Sequence, residues 1–174
     1  MLITIILVFS FVSCQQPVAE TSNPQDAFYD SYTIVNCQAA DLADDTTIGK
    51  AIAGPASGSM TISGTSTYNN GAYTLSNIVI TFNNFDYGGK YIIKSGSLTL
   101  NQSGTIAGQV ISVTTNTCTG TLSITGKHTG IPGINSSSRG SVDLSNKTIT
   151  ATGSAALTFN GITINHTFNR TIAY

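Results

Sequence analysis

From Ala56 to Tyr174 apolar and polar residues alternate in short runs broken by Gly and Asn, a period of two that predicts strands. One phrase recurs as Gly58-Ser59-Met60-Thr61-Ile62, Gly96-Ser97-Leu98-Thr99-Leu100, Gly120-Thr121-Leu122-Ser123-Ile124 and Gly140-Ser141-Val142-Asp143-Leu144. Each runs glycine, hydroxyl, apolar, polar, apolar. A second phrase, Thr81-Phe82-Asn83-Asn84-Phe85, is echoed by Thr158-Phe159-Asn160-Gly161-Ile162. The irregular spacing of these phrases argues against a solenoid of fixed coils. It fits an antiparallel meander of about eight short strands, with a looser loop over residues 129–139.

Side-chain alternation places the Gly of each phrase on the same face as its two apolar residues. Inward-facing glycines mark sites where a sheet bends or another backbone comes close. The expected fold is therefore mainly β: a curled antiparallel meander closing toward a half-barrel, barrel or sandwich. Ile149, Ala151, Gly153, Ala155, Leu157 and Phe159 share one face whose middle is small, leaving room for something to lie across it. An N-terminal helix is the expected cover, with a ligand as the alternative.

The helix is read from residues 24–54. Asn23 can cap, Pro24 suits the first helical position, and Asp26 complements the positive helix end. Phe28, Tyr32, Val35, Ala39 and Leu42 form one apolar stripe, although Thr33-Ile34-Val35 is a β-branched run that weakens it. A second short helix is expected after Asp45, through Ile48 and Ile52, ending at Gly54-Pro55.

The other end of the pattern is Leu2 to Val12, an uncharged apolar run too short to span a bilayer, which takes about 20 residues. It reads as the core of a signal peptide over residues 1–13. Phe11-Val12-Ser13-Cys14 follows, and here the chain resembles bacterial lipoproteins, in which the cysteine of the lipobox is acylated and becomes the first residue. Phe11 stands where Leu is usual, as in the looser boxes of spirochaete and related lipoproteins. The resemblance implies lipid attachment at Cys14, anchoring to a membrane through acyl chains, and placement in the bacterial cell envelope, at the outer membrane. The alternative is an ordinary signal peptide cut near Ser13. Residues 14–23 are polar, carry Pro17 and show no periodicity, which makes a tether. The β-stretch resembles the Gly/Ser/Thr-rich domains of many uncharacterised bacterial lipoproteins, a likeness that implies no activity.

Removing Cys14 from the three cysteines leaves Cys37 and Cys118, an even pair that an oxidising compartment can bridge. Such a bridge would close a loop of about 80 residues and contribute about 4 kcal/mol on the chain-entropy picture. The alternative is two buried thiols. An ideal helix aims Cys37 away from its apolar stripe, in conflict with a bridge to the sheet beneath.

Charge changes the picture by its scarcity. Only 9% of residues are charged, 7 basic and 8 acidic, for a net charge of -1. Solubility must rest on Ser, Thr and Asn, and no basic field for nucleic acid exists. At 40% hydrophobic the chain can bury a core.

Chemistry is sparse. His166 shares a strand face with Ile162, Ile164, Phe168, Arg170 and Ile172, and His128 sits beside Lys127 at a strand end. Neither has metal-ligand spacing, and no nucleophile elbow or phosphate loop occurs. Asp41, Asp44 and Asp45 lack the glycine and closing glutamate of a calcium loop. No cofactor and no catalytic residue is assigned. A transmembrane barrel is set aside because the strands read as short, aromatic girdles are missing, and His166 and Arg170 share an apolar face. The reading is a non-enzymatic, membrane-anchored structural or interaction lipoprotein with an envelope protein as partner. The alternative is a carrier of a lipid or other apolar ligand.

Overall fold

The computed structural model of the protein describes residues 49, 51–54, 56–86, 91–126 and 129–173. They form eight strands: β1 (Ala51–Ala53), β2 (Ser57–Asn69), β3 (Ala72–Asp86), β4 (Tyr91–Ala107), β5 (Val110–Gly126), β6 (Pro132–Asp143), β7 (Thr148–Phe159) and β8 (Ile162–Ala173). Every neighbouring pair is antiparallel, and the order across the sheet is the order along the chain. The meander is as expected; its closure is not. The sheet is open and uncurled, with β1 and β8 at opposite ends.

The glycines expected to curl the sheet serve close pairing instead. Gly96 lies opposite Leu122 and Gly120 opposite Leu98. A Cβ on Gly96 would strike the Thr121 carbonyl, and one on Gly120 the Ser97 carbonyl. Each glycine thus lets the facing strand lie against its own backbone.

The strands are also longer than expected, at 12–17 residues for β2 to β8. Residues that read as strand ends are bulges inside continuous strands. In β3 the buried side chains are Tyr73 and Leu75, then Ile78, Ile80 and Phe82, then Phe85. Each break in that alternation holds an extra residue, with Asn77 (φ 50°) and Asn84 (φ 45°) in the left-handed region that Asn tolerates. The amide of Asn77 donates to Asn101 Oδ1 at 2.8 Å, so the bulge leaves that donor satisfied. Further register shifts fall at Lys94 in β4 and at Thr114-Thr115 in β5. From β6 to β8 the pairing runs without a shift.

True turns carry their own chemistry. Asn70-Gly71 and Asn160-Gly161 both have positive φ and join strands through two residues, the geometry of twisted hairpins. The expected loop over 129–139 is mostly strand. Pro132 opens β6, where its missing N–H breaks no ladder, and small residues then pair β6 with β7 along its whole length. Where the second short helix is expected, the described residues form β1 instead: Ala51–Ala53 pair antiparallel with Ser59–Thr61, putting Ile52 opposite Met60. The chain from 57 to 173 therefore holds seven strands, and β1 completes the eight. The longer helical expectation, including the stripe from Phe28 to Leu42, lies outside the described residues.

Candidate functional site

The sheet has two chemically distinct faces. On the core face Met60, Ile62, Ile80, Phe82, Leu98, Leu100, Leu122 and Ile124 are all under one-tenth exposed. Phe82 and Phe85 meet edge to face at 5.7 Å, a favoured aromatic arrangement. Toward β6–β8 this face changes to Ser136, Ser138, Gly140, Ala151, Gly153 and Ala155, as the parity of β7 predicts.

Between those regions runs a polar row. Gln102 of β4 lies opposite Asn116 of β5, which lies opposite Ser138 of β6. Gln102 is 2% exposed and Asn116 5%. Asn116 Nδ2 donates to Ser138 Oγ at 3.0 Å. Both polar atoms of the Gln102 amide, and the Tyr73 hydroxyl one register step away opposite Gly104, are buried without a hydrogen-bond partner. Each such orphan costs about 1–3 kcal/mol. Burial also pushes the Tyr73 phenol up to about 12, since the phenolate loses its water. Neither Tyr73 nor Gln102 stands out in the sequence. Extending the alternation Gly96, Leu98, Leu100 by one more step would have placed Gln102 inward.

The opposite face is built from short hydroxyl and amide side chains in registered rows. One row crosses Thr61, Thr81, Ser97, Thr121, Gly133, Thr158 and Thr163 in directly facing pairs. Hydroxyls touch across strands at Thr158–Thr163 (3.0 Å) and Thr150–Thr171 (3.2 Å). Two hollows open among these residues. One, of about 380 Å3, is lined by Thr114, Thr115, Ser137, Arg139, Thr152 and Ser154. Its existence follows from the β5 bulge at Thr114-Thr115. The other, of about 540 Å3, lies where Gly133 and Gly161 leave space beside Ile131 and Asn160. Ile131 is 59% exposed, and its amide donates to Asn160 Oδ1 at 2.9 Å.

Of the residues singled out from sequence, Cys118 sits on the core face of β5, 1% exposed, with its carbonyl accepting from Ser136 Oγ at 3.5 Å. No disulfide joins described residues. Cys14, Cys37, His128 and the Asp41, Asp44 and Asp45 cluster lie outside them. His166 and Arg170 do share the core-side face of β8, opposite Ala155 and Ala151, and His166 stacks on Phe168 at 6.3 Å. Among the described residues no group of His, Cys, Asp and Glu is placed to hold a metal ion, and no helix is long and apolar enough to cross a membrane.

The fold and its faces define an open β-meander with one buried apolar face and one hydroxyl-rich face. Compared with known proteins, the chain matches no family model, no curated protein and no solved structure.

Proposed function

We propose that the chain is a non-enzymatic lipoprotein of the bacterial envelope, anchored through acyl chains on Cys14, whose hydroxyl-rich face binds a neutral partner surface. The single observation that carries the binding part is the division of the sheet. Large apolar side chains are spent on the core face, and the other face is a field of short Thr, Ser and Asn side chains with almost no charge. Such side chains lose little rotamer entropy on docking and can both donate and accept. That suits an uncharged, hydrogen-bonding partner better than a nucleic acid or an ionic ligand. The anchor rests on Phe11-Val12-Ser13-Cys14 and the polar tether after it. A buried apolar sheet face needs a second layer, and the amphipathic segment from Phe28 to Leu42 is the proposed cover.

The second reading, a carrier of an apolar ligand, is favoured by the small side chains Ser138, Gly140, Ala151, Gly153 and Ala155 on the core face. The polar atoms of Gln102 and Asn116 beside them weigh against a purely apolar cargo.

The test uses protein from native membranes and its Cys14→Ala variant. The parent should carry a diacyl or triacyl mass that the variant lacks. The unanchored variant should still co-sediment with washed envelope fragments, and lose that binding when Thr121 and Ser137 are changed to Glu. An unmodified parent would remove the anchor. A Cys14→Ala protein that leaves the envelope entirely would remove the binding face.

A further inference from the structure

The two ends of the sheet are not alike. A sheet edge exposes unpaired amides and carbonyls, and proteins protect such edges with very short strands, bulges, Pro or Lys. The β1 end has these devices. β1 is three residues long and covers only Ser59–Thr61. The rest of β2 is interrupted by a register shift at Gly64 (φ 129°). The β8 end lacks a short strand, a bulge, Pro and Lys, and its one charged residue is Arg170. β8 runs 12 residues, from Ile162 to Ala173, without Pro or Lys, and pairs with β7 without a register shift. No described strand covers its other side.

The hairpin geometry says which backbone groups lie open there. Asn160-Gly161 is a two-residue turn closed by Phe159 and Ile162. In such a turn the closing pair exchanges both hydrogen bonds, and bonded pairs then alternate along the ladder. Residues 162, 164, 166, 168 and 170 therefore bond to β7. The amides and carbonyls of Thr163, Asn165, Thr167, Asn169 and Thr171 point outward, and all five side chains are exposed on the hydroxyl-rich face.

We propose that β8 pairs with β8 of a second copy about a two-fold axis through Thr167, joining two sheets into one. An antiparallel pair of identical strands is self-complementary by symmetry, and this register engages nearly the whole of β8. It sets Thr163 opposite Thr171, Asn165 opposite Asn169, and Thr167 opposite itself. On the core side it sets His166 opposite Phe168 and Arg170 opposite Ile164, so no like charges meet. Centring on Asn169 instead would bring the two Arg170 side chains into diagonal contact, and centring on Asn165 would leave much of β8 unpaired. Ile162, 63% exposed at the start of the strand, would be shielded. The hydroxyl rows of the two copies would run on into one another.

The test is made on the full chain in solution. Light scattering should give a dimer mass. Thr167→Cys should cross-link to itself on mild oxidation, because facing Cα atoms in a bonded antiparallel pair lie about 5.5 Å apart. Thr163→Cys and Thr171→Cys should each remain uncrosslinked alone and link when mixed. The parent, with its own three cysteines, sets the background. Thr167→Pro, which removes an outward amide, should give a monomer with unchanged circular dichroism. A monomeric parent, oligomers larger than two (β8 on the β2 edge of the next copy), or a dimer in which Thr167→Cys does not link would each overturn the proposal. Because cross-linking reads register directly, it decides the matter even if the proline variant misfolds.

Discussion

The half of the sheet made by β2 to β5 and the half made by β6 to β8 use one topology and two packing strategies. In the first, long strands carry bulges at Asn77, Asn84, Lys94 and Thr114-Thr115, and large side chains such as Phe82, Phe85, Ile80 and Leu98 fill the core face. In the second, pairing is unbroken and the middle of the core face is Ser, Ala and Gly, with larger residues such as Ile134, Val142, Ile149, Leu157 and Phe168 around it. The bulges explain the difference in part. An extra residue re-aims every side chain after it, so a strand of 15–17 residues can keep its apolar positions inward only if its sequence changes parity where the backbone does. The 12-residue strands need no such correction.

The largest contrast should appear at glycines. Gly96 of β4 has φ 115°, and a Cβ there would meet the backbone of Thr121 and Leu122. Gly96→Val is expected to cost at least about 3 kcal/mol, from strain plus displacement of a paired strand. Gly133 of β6 has its nearest neighbour to such a Cβ at 3.3 Å, the Thr121 methyl, which can give way. Gly133→Ala should therefore stay within about 1 kcal/mol of the parent. Urea midpoints of the two variants decide this. Equal losses would mean that Gly133 is as tightly held as Gly96, which would place it with Gly153, whose Cβ would meet the Ser137 carbonyl.

How far the sequence reveals this depends on parity. In β7 and β8 period-two reading identifies every inward residue from Ile149 to Phe159 and from Ile162 to Arg170, because nothing interrupts the ladder. In β3 and β5 it fails at the bulges. Asn83-Asn84 looks like a turn and is a kink inside β3, and Thr114-Thr115 looks like ordinary strand. The fourth Gly-led phrase fails for the opposite reason: Gly140 and Val142 keep their place in β6, but Leu144 falls in the turn and is 42% exposed. Half of the polar row is hidden: parity carried on from Leu100 reaches Gln102, but the bulge at Thr114-Thr115 breaks the count from Val113 to Asn116, and only register shows Asn116 inward. The outer hollow at Arg139 is hidden because it lies in a segment whose small residues mimic a loop.

A smaller effect probes the same first half through its buried hydroxyl. Tyr73 is 2% exposed and its phenol is pushed up to about 12 from an ordinary 10. The folded state holds it neutral while the unfolded chain ionises it near 10. Stability from this source is complete below pH 10 and drains away as pH rises toward about 12, by roughly 1–2 kcal/mol. Tyr73→Phe should flatten that part of the pH profile. With the unpartnered oxygen gone, it should leave stability at neutral pH unchanged or slightly higher. Tyrosinate absorbance during alkaline titration is the check. A profile that falls equally in the variant would assign the loss to other groups.

The smallest effect is expected in the second half, at the turn between β6 and β7. The Asp143 carboxylate organises the corner: Oδ1 accepts from Ser145 Oγ (2.6 Å), Ser145 N (3.0 Å) and Asn146 N (3.0 Å), and Oδ2 from Asn146 Nδ2 (2.7 Å). The Ser145 hydroxyl, then the Asn146 amides, hold its pKa down at about 2 against an ordinary 3.8. A depressed carboxylate favours the folded state above pH 3.8, and that contribution fades as pH falls toward 2. Asp143→Asn keeps an acceptor but loses the charge that strengthens these bonds. It should lower the thermal midpoint slightly at neutral pH and not at all near pH 2. If the two midpoints stay apart at both pH values, the turn depends on the shape of the side chain and not on its charge. The unbulged half would then be held by its ladder alone.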